Sequence, residues 1–150
     1  TFGDVNSTSG HLMPRHFLVA AGIDPDKAFA SVGYAEGGHS GTLNAVAAGS
    51  VDCGALNYEV YDNASAELKQ KAPLLYTTPE YVDYSWVVHD RVGSDLIERL
   101  RAALLGLDAS DPEEGAILKA WSAGKFLSAK DEQWDSIREV RDSLPKGFLK

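Results

Sequence analysis

Three hydroxyl side chains in a row, Ser7, Thr8 and Ser9, stand between Asn6 and Gly10, directly after the strand-like residues 1–5. Where such a turn opens a helix, free backbone N–H groups and hydroxyl donors face outward along the positive end of the helix dipole. An oxyanion held there accepts charge-assisted hydrogen bonds without needing a formal cation. Gly10 has no β-carbon, so backbone and ligand can approach closely. One hydroxyl is enough to cap a helix, however, and the same residues also read as a heavily decorated N-cap. His39 stands in a second, glycine-rich turn, Glu36-Gly37-Gly38-His39-Ser40-Gly41. An imidazole N–H can donate to an anion from such a turn, or be satisfied by water. A third turn presents Asn57, Tyr58 and Glu59 after residues 51–56. Asn57 either caps the helix that follows or gives its amide to the ligand.

Periodicity and breakers supply the elements that must position these turns. Residues 1–5, 30–35 and 51–56 read as strands, each followed by one of the turns and then by a helix. Residues 11–21 carry Leu12, His16, Val19 and Ala20 near one helical face, with Pro14 tolerable only close to the helix start. Gly22 ends that helix and Asp24-Pro25-Asp26 begins a short one. Residues 42–48 form a further helix that Gly49 stops. Residues 74–77 and 84–89 are two more predicted strands. From Ser94 onward helices dominate, the last over residues 131–144 and closed by Pro145 and Gly147. Repeated strand–turn–helix units predict an α/β fold with a mostly parallel sheet flanked by helices. In such folds ligands sit at the carboxyl ends of strands, where all three turns fall.

The formal charge is −8, from 14 basic and 22 acidic side chains, and no basic stripe appears. Nucleic acid is therefore a poor partner, and an anion must be bound by local dipoles rather than by bulk charge. Cys53 stands alone, which excludes a disulfide framework or a cysteine metal cluster and reads as a small buried hydrophobe. His11 and His16 are five apart, which misses the spacing that puts two metal ligands on one helical face; no metal or cofactor is expected. The apolar stretches are too short to span a bilayer. Residues 1–4 show no signal-peptide pattern, although a trimmed chain would look the same. Strand-like character begins at Phe2, as though the chain opens inside an element already under way.

The run Phe2-Gly3-Asp4-Val5-Asn6-Ser7-Thr8-Ser9-Gly10 resembles the signature of phosphonate- and phosphite-type binding subunits of ABC transporters. The likeness continues through Leu12-Met13-Pro14, the Gly-Gly-His-Ser turn at residues 37–40, and the run from Ala45 to Ala55 that ends Val51-Asp52-Cys53-Gly54-Ala55. It covers residues 1–62 well and the remainder loosely. The resemblance implies a periplasmic-binding-protein fold of two α/β lobes that close about a hinge and bury the ligand, with no chemical step. It implies that Ser7, Thr8, Ser9 and Gly10 hold a small tetrahedral oxyanion, joined by His39, Asn57 and Tyr58. Residues 1–82 would form the second lobe, and residues 83–150 a returning strand and the C-terminal helices of the first, whose remainder would be missing. Partners would be the oxyanion and a transporter permease. The location would be the periplasm, or the outer face of the cell membrane through a lipid anchor. Asn57 falls where many relatives carry an acidic residue that accepts from a protonated ligand oxygen. An amide can donate instead, so sulfate-, selenate- or phosphate-type anions join phosphonate and phosphite as expected ligands.

Two other classes compete. A hydrolase would use Ser7 or Ser9 as nucleophile, His39 as base and Asp52 or Glu36 as orienter, but the chain has no G-x-S-x-G elbow. A signalling or interaction domain would use an aromatic surface of Tyr76, Tyr81, Tyr84 and Trp86, which packing explains equally well. Apolar surface left by a missing lobe would also favour a homodimer of the fragment.

Overall fold

The computed structural model describes residues 1–144, so the expected closure by Pro145 and Gly147 lies outside the described residues. The chain divides into two compact units, one comprising Thr1–Asp83 together with the chain from Trp134, the other comprising Tyr84–Gln133.

In the first unit three extended segments lie side by side. The Phe2 N–H donates to Gly33 O and its carbonyl accepts from Ala35 N–H, both at 2.9 Å, a parallel bridge centred on Phe2 and Tyr34. On the other side Thr1 O accepts from Ala55 N–H at 3.0 Å, and the Thr1 amine donates to Cys53 O at 2.7 Å. The order of segments is thus 33–35, 1–2, 53–55, and each leads into one of the three turns. The sheet expected from the sequence is not formed as strands: among the described residues there is only this isolated bridge. A ladder needs successive bridges, and after Phe2 the Asp4–Ser7 turn bends the central segment away from its neighbours. Residues 74–77 and 84–89, also expected as strands, are irregular and unpaired by any ladder.

The helices of this unit are α1 (Met13–Ala20), α2 (Pro25–Ala28), α3 (Gly38–Ala47), α4 (Tyr58–Asp62) and α5 (Ala66–Lys71). Three of them start on side-chain caps: Asp24 accepts from Asp26 N, Asn57 from Val60 N and Ser65 from Leu68 N. The core of the unit joins Leu12, Met13 and Val140, with Phe17, Tyr81, Ile137 and Leu144 against them. Val140 belongs to the last helix, Asp135–Ser143, which follows a short 3-10 turn, Asp131–Trp134. That helix therefore packs on the unit that carries the turns, where its amphipathic face covers α1. The second unit contains a 3-10 turn, Asp90–Val92, and the helices α6 (Ser94–Leu105) and α7 (Pro112–Ala120), so the last helix is α8. In the second unit Leu118 of α7 is fully buried, and the Trp86 ring lies 5.1 Å from Trp121 and 6.0 Å from Phe126. No helix among the described residues is long and apolar enough to cross a membrane.

Candidate functional site

Helical structure begins at the hydroxyl run itself, three residues before the sequence suggests. Residues Thr8–Leu12 form one wide π turn that runs directly into α1. Pro14 supplies the cause: it has no N–H to give to Gly10 O, its natural acceptor four residues back. The Gly10 carbonyl instead accepts from Gly3 N–H at 2.9 Å, while Leu12 N–H reaches five residues back to Ser7 O at 3.0 Å. The widened turn is thus tied to the extended segment in front of it.

Within this turn Ser7 is the N-cap, its Oγ accepting from Gly10 N–H at 2.9 Å. The cap reading and the ligand reading of the sequence are compatible, since Ser7 caps while Thr8 and Ser9 keep N–H groups with no acceptor among the described residues. Ser9 is buried and Thr8 half-buried.

His39 sits in the first turn of α3, behind Gly37 and Gly38, whose φ values of 81° and 59° suit only glycine without strain. Its Nδ1 accepts from Asn57 N–H at 3.2 Å, which leaves the proton of the neutral ring on Nε2 as a donor. The same ring lies against the first turn. A β-carbon at Gly10 would stand 3.0 Å from His39 Cε1, 3.0 Å from Ser7 Oγ and 3.3 Å from Gly3 Cα. The three turns predicted from the sequence are therefore brought together, with Gly10 at their meeting point.

Asn57 caps α4 through Oδ1, which accepts from Val60 N–H at 2.9 Å. Its amide nitrogen is not needed for that bond. Tyr58, the last of the expected site residues, is 63% exposed.

The sequence reading missed Asp83. Its carboxyl lies within electrostatic reach of the Ser9 hydroxyl and of His39. Burial pushes its pKa above the ordinary value, and the Ser9 hydroxyl and His39 pull it partly back. Trp134 donates from Nε1 to the Asp83 carbonyl at 3.4 Å and so holds this part of the chain. No motif surrounds Asp83. The available signal was a lone carboxylate between aromatic residues, in Tyr81-Val82-Asp83-Tyr84.

The hydrolase arrangement is not assembled. The Nδ1 of His39 is engaged with Asn57 N–H, and both Asp52 and Glu36 are exposed. No group of three or more His, Cys, Asp or Glu among the described residues could hold a metal. Cys53, expected to be buried, is exposed, because the segment that bears it lies at the open side of Thr1.

The sequence profile of the family described as "ABC transporter, phosphonate, periplasmic substrate-binding protein" matches residues 1–134. A curated relative, the probable ABC transporter phosphite binding protein PhnD1 of Prochlorococcus marinus (strain MIT 9301), is 35% identical over 97% of this chain and 52% of its own length. The solved structure of PhnD1 from Prochlorococcus marinus (MIT 9301) in complex with methylphosphonate superposes with a TM-score of 0.84 at 34% identity. It covers 95% of this chain and 55% of that one. The chain thus spans about half the length of the relatives it matches.

Proposed function

This chain belongs to the periplasmic substrate-binding proteins of phosphonate ABC transporters, and from that premise we propose that its three turns capture a small tetrahedral oxyanion for an importer. The convergence on Gly10 carries the reading: the His39 ring and the Ser7 hydroxyl both stand 3.0 Å from where its β-carbon would be. The free N–H groups of Thr8 and Ser9, the Nε2–H of His39 and the Asn57 amide are neutral donors on the three turns that meet at Gly10, suited to an anion in a protein of charge −8. Tyr58 stands at the rim as a further contact. No chemical step is assigned.

Asp83 refines the choice of anion. A carboxylate beside Ser9 repels a fully ionised ligand and accepts from a P–OH group. The acidic partner that position 57 lacks is thus supplied from position 83, which favours a phosphonate or phosphite monoanion over sulfate or selenate. Residues 1–82 form the ligand-bearing part of the second lobe in this reading, and residues 84–133 part of the other. The permease partner and a periplasmic or membrane-anchored location come with the family. Self-association of the chain through exposed residues such as Val87 and Leu127 belongs to the same reading.

Isothermal titration of the full-length protein with methylphosphonate, phosphite, phosphate, sulfate and selenate is the test. Ser7→Ala and His39→Ala are titrated beside it, and each is expected to weaken the best ligand by about tenfold or more, the worth of one charge-assisted hydrogen bond. Absence of binding to every anion in the panel sinks the assignment.

A further inference from the structure

His11 stands outside the donors assigned to the ligand, yet its side chain is fully buried beneath the turn they occupy. Its Nδ1 lies 2.7 Å from the Val5 carbonyl. A carbonyl can only accept, so Nδ1 carries the proton and the Nε2 of the neutral ring is an acceptor. The Tyr34 hydroxyl stands 3.2 Å from Nε2 and donates to it. The ring also packs 4.9 Å from Phe2 and edge-on to Tyr34 at 5.0 Å. Val5 opens the hydroxyl turn, and Tyr34 leads into the turn that bears His39. One imidazole therefore joins the two segments that deliver the ligand donors.

We propose that His11 is a positioning residue for anion capture: with Tyr34 it holds the Val5 carbonyl inward and keeps residues 7–10 in the conformation that receives the ligand. This rests on the binding function proposed above. Without a donor at position 11 the Val5 carbonyl loses its partner in a half-buried place, and the turn must rotate to recover one. The surroundings favour the neutral ring. Burial lowers its pKa below the ordinary value of 6.5, opposed by the Val5 bond. Arg15 of α1 adds to the lowering, while Asp26 of α2 and Asp4 of the turn act against it. Arg15 is itself paired with Asp26 and lies over the Phe2 ring. Protonation would place a second N–H against the Tyr34 hydroxyl, which must then turn round to accept.

The test is methylphosphonate titration and thermal melting of the full-length protein with His11→Leu, His11→Asn and Tyr34→Phe, from about pH 5 to 8, the range over which a histidine titrates. His11→Leu removes both ring bonds, and its affinity is expected to fall about tenfold or more. His11→Asn keeps an N–H for Val5 and should restore affinity to within about threefold of wild type. The acid side of the wild-type affinity profile should flatten in His11→Asn; Asp83, present in every variant, cancels from that comparison. Affinities for His11→Leu and Tyr34→Phe within about twofold of wild type, with Ser7→Ala still weakened, overturn the positioning role and leave the binding function standing. If wild type binds no anion, both fall. If His11→Leu fails to melt cooperatively, Tyr34→Phe decides: unchanged affinity and an unchanged pH profile overturn the proposal.

Discussion

Replacing Gly10 by alanine tests the proposed site at the point where its turns meet. The added methyl would stand 3.0 Å from His39 Cε1, 3.0 Å from Ser7 Oγ and 3.3 Å from Gly3 Cα. Carbon pairs are most favourable at about 3.5–4.0 Å, so the His39 contact is too close by roughly 0.5 Å. Relief cannot come from one side alone. Gly3 is backbone and is bonded to Gly10 O, Ser7 Oγ is engaged with Gly10 N–H, and His39 is held by Asn57. Overpacking of this kind costs about 1–3 kcal/mol. For a domain of this size the melting temperature should then fall by roughly 2–12 °C. The same displacement separates His39 from the N–H groups of Thr8 and Ser9, so one charge-assisted bond to the ligand is lost, worth about 1.5–3 kcal/mol. Methylphosphonate affinity should accordingly drop by about tenfold or more. The control is Gly33→Ala, which has open space around its new methyl and an ordinary φ. Thermal melting and calorimetric titration of both variants read the outcome. A Gly10→Ala protein that binds like wild type, or one no worse than Gly33→Ala, would falsify the convergence of the three turns on the ligand.

Asp83→Asn should raise the melting temperature at about pH 7, with the gain disappearing below about pH 4. The sign follows from a folded pKa raised above 3.8: on raising the pH the unfolded chain gives up its proton first, so the native state loses stability between the unfolded and the folded values and levels off above the folded one. The same variant should bind sulfate more tightly relative to methylphosphonate, and an unchanged ratio in competition titrations would remove Asp83 from ligand selection. Asn57→Ala loses the bond to Val60 N–H and should cost about 0.5–2 kcal/mol in a denaturant melt, whereas Asn57→Asp keeps the cap. Equal destabilisation by both would show that the cap is not what Asn57 contributes.

Local chemistry was legible where it depended on residues close in sequence. Ser7, Asp24 and Asn57 were readable as caps, and each accepts from a helix N–H. The succession of segment, turn and helix along the chain was readable too, because the first two turns announce themselves by hydroxyl and glycine residues and the third by the capping Asn57. The ladder was not: three segments meet for two or three residues each, and strand propensity says nothing about how long neighbours stay in register. The early start of the first helix was hidden by Pro14, which looks like a limit on the helix and instead widens it into a π turn. His11 was judged only by its spacing to His16, whereas its role comes from Val5 on one side and Tyr34 on the other. Asp83 was missed for the same reason, since its partners Ser9 and His39 are distant in sequence.

Asp83 also changes what kind of selectivity the site can have. Its donors are backbone N–H groups, hydroxyls, an imidazole and an amide, none of which needs a net positive charge to bind an anion. Such a set alone would accept any tetrahedral oxyanion of the right size. Adding a carboxylate to the same cluster makes recognition depend on the ligand's proton: a P–OH group gains an acceptor, and a dianion meets a like charge. Burial strengthens this filter and also supplies its limit, because a raised pKa lets Asp83 take up a proton itself as the solution becomes acidic. Once protonated it donates rather than repels. Discrimination against sulfate should therefore be sharpest above the folded pKa of Asp83 and should fade below it, in parallel with the loss of its effect on stability.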